Sequence, residues 1–228
     1  MKMKFRMSTA ADYLLDLIFP NRCPCCGCFI EWNKLICSEC EEKLSALEYC
    51  GEGKNSATDK TFYDKIYAAY FYKEAAKNGV LAMKESRSTN FGKLAAIRLA
   101  ELMRRDEIKA DFIVPVPMSA RKRRQRGYNQ AMLIATEVGR ALDIPVNGRL
   151  LHNKGGKAEQ HMLSASERKE NVSRFWVSEL KLENKRIILC DDVITTGSTA
   201  NRCAELLKSV GVKKVYVACA TGTSRGEK

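Results

Sequence analysis

RIILCDDVITTGST, Arg186 to Thr199, is the stretch on which the reading of this chain turns. Ile187, Ile188, Leu189 and Cys190 form a short apolar run of the kind buried inside a sheet. Two adjacent aspartates follow, Asp191 and Asp192, and then Val193, Ile194, Thr195, Thr196, Gly197, Ser198 and Thr199, a loop of hydroxyls around one glycine. Next comes the helix-patterned TANRCAELLKSVG, stopped by Gly211. In a strand–turn–helix the first helical amides lack intrahelical partners and carry partial positive charge, so the turn holds a phosphate without a lysine. The hydroxyls of Thr195, Thr196, Ser198 and Thr199 add donors, and Gly197 permits close backbone approach. The two carboxylates repel the same anion and suit hydrogen bonds donated by a diol. The turn therefore asks for a sugar phosphate, hydroxyls at the carboxylate end and phosphate in the loop. Helix capping alone also accounts for Thr, Ser and Asp at such a turn. A Walker-type loop is excluded, because no Gly-Lys-Ser/Thr occurs.

Outward from this stretch, strand-like and helix-like segments alternate. KIYAAYFY reads as a strand, EAAKNGVLAMK and FGKLAAIRLAELMRR as helices, ADFIVPVP as a buried strand, and GYNQAMLIATEVGRALD as a helix. RLLHN, RFWVSEL, RIILC and KKVYVACAT complete the strands. This alternation predicts an α/β fold, a parallel sheet flanked by helices, with ligands bound outside the carboxyl ends of its strands. The opening MKMKFRMSTAADYLLDLIFP reads as a short amphipathic helix ended by Pro20. Between Lys154 and Asn171 the chain is polar and carries Gly155-Gly156, the composition of a mobile lid. His152 and His161 are the only histidines, and neither pairs with a nucleophile.

A net charge of +12 and a pI near 9.3 imply an anionic partner, a phosphorylated small molecule or a nucleic acid. In VPVPMSARKRRQRGYNQ, five cations occupy six positions: Arg121, Lys122, Arg123, Arg124 and Arg126. Most such runs are solvated faces. This one follows a strand, which puts it at the same sheet end as Asp191.

Seven of the ten cysteines lie between Cys23 and Cys50. Cys23-x2-Cys26 or Cys25-x2-Cys28 can pair with Cys37-x2-Cys40, two hooks of the kind that hold tetrahedral zinc. Cys23 and Cys26 are preferred, since Gly27 then follows the second thiolate where the knuckle turns. Four thiolates leave no open position, so the zinc is expected to be structural. Clustered cysteines, with Asp12 and Asp16 interrupting the apolar opening, predict a reducing, cytoplasmic setting. No apolar run approaches the roughly 20 residues of a membrane span.

ILCDDVITTGST resembles the phosphoribosyl pyrophosphate (PRPP) motif of type I phosphoribosyltransferases. VPVP, RGYNQ, the spaced residues Gln160, Leu163, Ser164, Glu167, Arg168 and Asn171, and LLDLIFPNRCPCCG together resemble the ComF family of competence-associated phosphoribosyltransferase-like proteins. The resemblance covers nearly the whole chain. It implies a type I phosphoribosyltransferase-like sheet at about residues 60–228, after a four-cysteine zinc ribbon at 1–50 and a linker at 51–59. It implies Asp191 and Asp192 on the ribose hydroxyls, Thr195 to Thr199 around the 5′-phosphate, and Mg²⁺ accompanying PRPP. Arg126 and its neighbours would serve the pyrophosphate, under a lid carrying Lys154, Gln160, Arg168 and Asn171. The function so implied is transfer of phosphoribose to an acceptor the sequence does not name, linked to DNA uptake. The alternative is a non-catalytic competence factor that binds single-stranded DNA and senses PRPP.

Overall fold

The computed structural model describes residues 20–49, 61–153, 175–178 and 182–223. The expected N-terminal helix, the linker at 51–59 and the candidate lid residues Lys154, Gln160, Arg168 and Asn171 lie outside the described residues.

Four strands form one parallel sheet in the order β1 (Lys65–Phe71), β6 (Lys214–Gly222), β5 (Arg186–Ile194), β2 (Phe112–Pro115). Their near-continuous apolar runs follow from burial of both faces. Alternate residues of β5 enter two different cores. Ile188 and Cys190 pack with Val80 and Met83 of α2 (Glu74–Lys84), Leu99 of α3 (Asn90–Arg105) and Ile134 of α5 (Gln130–Leu142). Ile187 and Leu189 face the other way, onto Cys203, Ala204 and Leu207 of α6 (Ser198–Ser209). This side-to-side alternation is the strand period of two made visible in packing.

Two local expectations are corrected and a third is made specific. The RIILC strand runs on to Ile194, so Asp191 and Asp192 lie in β5 itself, still paired with β6 through Asp191↔Cys219. The described residues of RLLHN and RFWVSEL do not join the main sheet; β3 (Leu151–Asn153) and β4 (Phe175–Val177) pair antiparallel with each other. Each is three residues long, and Leu151 and Phe175 anchor the pair in the α6-side core. The basic run, expected only as a segment following a strand at that sheet end, is the helix α4 (Ala120–Arg126). It has no apolar stripe to give a period, and its start is set by Ser119, whose Oγ accepts from Lys122 N at 3.4 Å.

The cysteine segment ends in α1 (Ser38–Ser45), then runs along the edge of β1, with Phe71 N donating to Leu47 O and Tyr49 N to Ala69 O. Cys23, Cys25, Ile36, Cys40 and Leu44 are buried in the same core as α2 and α3.

Candidate functional site

A cleft of about 390 Å³ opens at the carboxyl end of β5. Asp191, Asp192, Val193, Thr195 and Thr199 line it from β5 and the loop beyond; Lys122 and Arg126 line it from α4. The other anticipated residues sit around these. Ile194 is buried, while Thr196, Gly197 and Ser198 shape the loop without lining the cleft. Thr196 Oγ1 and Ser198 Oγ are 2.9 Å apart, and Gly197 precedes α6 with φ +74°, a conformation that favours glycine. The five cations divide by helical geometry. Positions 122 and 126 are four apart and share the face turned to the cleft. Arg123 lines a neighbouring cavity, and Arg121 and Arg124 are exposed outside both.

The carboxylates are half-buried, and their charges interact. Burial first, and the Asp192 charge second, push Asp191 well above the usual carboxylate range. The Asp192 amide, donating to Asp191 Oδ1 at 2.8 Å, and the Lys84 charge act against that rise. Lys84 Nζ lies 3.3 Å from Asp192 Oδ2. Lys84 also lines the cleft, as does Tyr72. Sequence reasoning missed both, because a lysine ending a helix reads as a dipole partner, and its carboxylate lies 108 positions away (192 − 84).

RGYNQ explains how Lys84 is placed. Gly127 turns the chain with φ +75° at the end of α4. Tyr128 Oη at 2.9 Å and buried Gln130 Nε2 at 3.2 Å both donate to Met83 O, the carbonyl just before Lys84. Arg126 donates to Gln130 Oε1 at 3.3 Å, and Ser86 Oγ donates to Arg126 O. Asn129 Oδ1 accepts from Ala131 N at the start of α5, while its Nδ2 donates to Val116 O. The motif thus ties the last turn of α2 to the cleft wall, and contributes Arg126 to the cleft itself.

In the N-terminal segment, the Sγ atoms of Cys23, Cys26, Cys37 and Cys40 all lie within 4.8 Å of one another, and these four cysteines could hold a metal ion. Sγ of Cys26 and Cys37 are 3.7 Å apart. Tetrahedral zinc with Zn–S of about 2.3 Å places sulfurs about 3.8 Å apart, so the donor set fits that ion. Gly27 has φ +79° and its N–H donates to Cys23 O, which closes the first knuckle. Cys37 occupies the N-cap position of α1 and Cys40 its first turn, so two of the four sulfurs belong to residues at the positive end of that helix. Cys25 and Cys28 stay outside the cluster. The Cys25 thiol is pushed up to about 12, chiefly by burial and then by Cys23.

No helix among the described residues is long and apolar enough to cross a membrane. The phosphoribosyl transferase domain family matches residues 89–228. Competence protein F of Haemophilus influenzae is 28% identical over 201 residues, covering 80% of this chain and 88% of that protein. DNA utilization protein YhgH of Escherichia coli K12 is 36% identical over 109 residues, 48% of each chain, so the match spans about half that relative's length. Among solved structures, a purine phosphoribosyltransferase from Pyrococcus horikoshii aligns at TM-score 0.35 and 21% identity, over 55% of this chain and 67% of that one. A likeness at that TM-score carries no weight for chemistry.

Proposed function

Because this chain belongs to the phosphoribosyl transferase domain family, we propose that the cleft beyond β5 binds PRPP and that the protein acts in DNA uptake, as the names of its relatives suggest. The observation that carries this reading is the junction in one cleft of two carboxylates, the threonines Thr195 and Thr199 flanking a helix start, and three cations, Lys84, Lys122 and Arg126. Asp191 and Asp192 accept hydrogen bonds from the ribose 2′- and 3′-hydroxyls. The amides and hydroxyls of Thr195 to Thr199 hold the 5′-phosphate at the start of α6. Lys122 and Arg126 lie across the cleft, where a leaving pyrophosphate would develop charge as the sugar takes on oxocarbenium character. Mg²⁺ accompanying PRPP would supply further neutralisation of that charge beside Lys122 and Arg126. Zinc in the cysteine cluster holds the N-terminal fold and takes no part in this chemistry.

Calorimetric titration with PRPP tests the reading. Asp191→Asn and Asp192→Asn should each weaken binding by about 1.5–3 kcal/mol, the worth of a charge-assisted hydrogen bond. Unchanged affinity in the double variant would remove the sugar from this end of the cleft. Screening acceptors for pyrophosphate release then separates transferase from sensor.

A second reading has its own observation: Arg121, Arg123 and Arg124 lie on α4 outside the cleft. There they can meet the backbone of single-stranded DNA. Replacing all three with Ala should flatten the log–log salt dependence of DNA binding by about two units, at roughly 0.7 per phosphate contact, and leave PRPP affinity unchanged.

A further inference from the structure

Beside the carboxylate cleft lies a second, larger cavity of about 740 Å³, separated from it by Pro117, Met118, Asn129 and Asn153, which line both. Its walls come from α4, α5 and the β3–β4 pair. Met118, Met132, Leu133 and Leu151 make much of it apolar. Among the described residues that line it, Arg123 is the one cation and there is no carboxylate. Arg123 makes no ion pair with any described residue.

Trp176 stands in this cavity with 40% of its surface exposed. One face of its ring is already covered: His152 stacks on it with centroids 3.9 Å apart and planes within 12°. The histidine is held in turn. Ser178 Oγ donates to Arg149 O at 3.1 Å, which leaves it to accept from His152 Nε2 at 2.9 Å. Cross-strand pairing of His152 with Trp176 sets the register of the stack. The result is an indole braced on one face by His152 and still 40% exposed, unlike an aromatic pair that serves only a closed core.

We propose that Trp176 is a base-stacking platform for single-stranded DNA, with Arg123 on the adjoining phosphate and the outer cations of α4 continuing the track. A π-platform beside a positively charged strip is the pairing by which single strands are held without sequence preference. The exposed part of the Trp176 ring suits a flat heterocycle, and a lining with a cation and no carboxylate among the described residues suits the phosphate. The proposal rests on the single-stranded DNA reading of α4 and gives it a location. His152, incidental as a nucleophile's partner, acquires a positioning role.

The experiment uses the full chain in a Trp32→Phe background, which leaves Trp176 as the only indole. Titration with oligo(dA) at low salt should quench its emission. Trp176→Ala should weaken DNA binding about fivefold or more, and Trp176→Phe should restore part of the loss, since stacking survives on a smaller ring. His152→Ala should weaken binding less, and Arg123→Ala should lower the salt slope by about 0.7. All four variants should keep wild-type PRPP affinity, which also reports that they fold. DNA binding without quenching, or unaltered by Trp176→Ala, overturns the platform while leaving the DNA reading in place. No DNA binding by any form at low salt overturns both. Equal quenching by AMP and by oligo(dA) at the same nucleotide concentration, with no dependence on length, replaces the strand by a free nucleotide. A dimer that Trp176→Ala dissolves, with no quenching by DNA, assigns the indole to a second copy of the chain.

Discussion

Two neighbouring carboxylates in a half-buried cleft repel each other, and Lys84 is the cation that offsets this, 3.3 Å from Asp192. Its charge lowers the Asp191 pKa against the rise caused by burial and by Asp192. Lys84→Met should therefore push Asp191 higher and leave fewer ionised acceptors for a sugar diol. PRPP affinity in that variant should fall more at lower pH than at higher pH, a pH dependence that mere loosening of α2 would not produce. A second residue sets an acid limit on stability. Asp106 accepts from Lys65 Nζ at 2.7 Å and Tyr67 Oη at 2.9 Å, and these bonds depress its pKa from 3.8 to about 2. A depressed carboxyl contributes stability above its unfolded value and loses it as pH falls through the folded one. Between pH 3.8 and 2, the urea midpoint of the wild type should drop, and Asp106→Asn should flatten that limb from a lower plateau. An unchanged limb would assign acid sensitivity to other carboxylates.

At the scale of elements, α2 and α3 touch where one residue has no side chain. A Cβ added to Gly79 would come within 2.3 Å of the ring of Phe91, which is fully buried. Alanine improves helix propensity by about 1 kcal/mol, but overpacking a closed core costs about 1–3 kcal/mol. The ring cannot swing to solvent, so the second effect should win. Gly79→Ala should lower stability in chemical denaturation; a gain would mean that Phe91 has room to move. Such a variant should also weaken PRPP binding slightly, because α2 carries Lys84. The short helix α4 makes a different point. Its seven residues bury no side chain, yet its pitch alone decides which cations face the cleft and which face outward.

Over the whole molecule, the cysteine cluster is part of the main core. Cys23, Cys40 and Leu44 pack in one cluster with residues of α2, α3 and the sheet, and Asn78 Nδ2 donates to Cys25 O at 3.1 Å. Metal loss should therefore lower a single unfolding transition and not melt a separate module first. Cys37→Ser should reduce zinc content and lower Tm together, whereas Cys190→Ser, deep in the sheet, should keep the metal. Elemental analysis beside calorimetry checks both. Two resolved transitions in the metal-free protein would make the cysteine segment an independent unit.

Much of this was legible in the chain. The run Ile187 to Cys190 with its acidic pair and hydroxyl loop announced a buried strand leading into a helix start, because burial and unpaired amides are local consequences of residue type and order. The two x2 hooks announced four thiols brought close enough to hold a metal ion, and Gly27 already favoured Cys23 and Cys26 over Cys25 and Cys28. The α/β alternation followed from periodicity. What remained hidden depends on contacts between distant positions. Only the packed fold brings Lys84 to Asp192, turns Tyr128 and Gln130 onto Met83 O, and stacks His152 on Trp176. Helical pitch, once α4 exists, divides five cations that look equivalent in a string. Sequence determined which chemistries were available, since those reside in side chains and short spacings. Tertiary structure decided which of them share a cavity, since that is fixed by how strands pair and helices pack across more than a hundred residues.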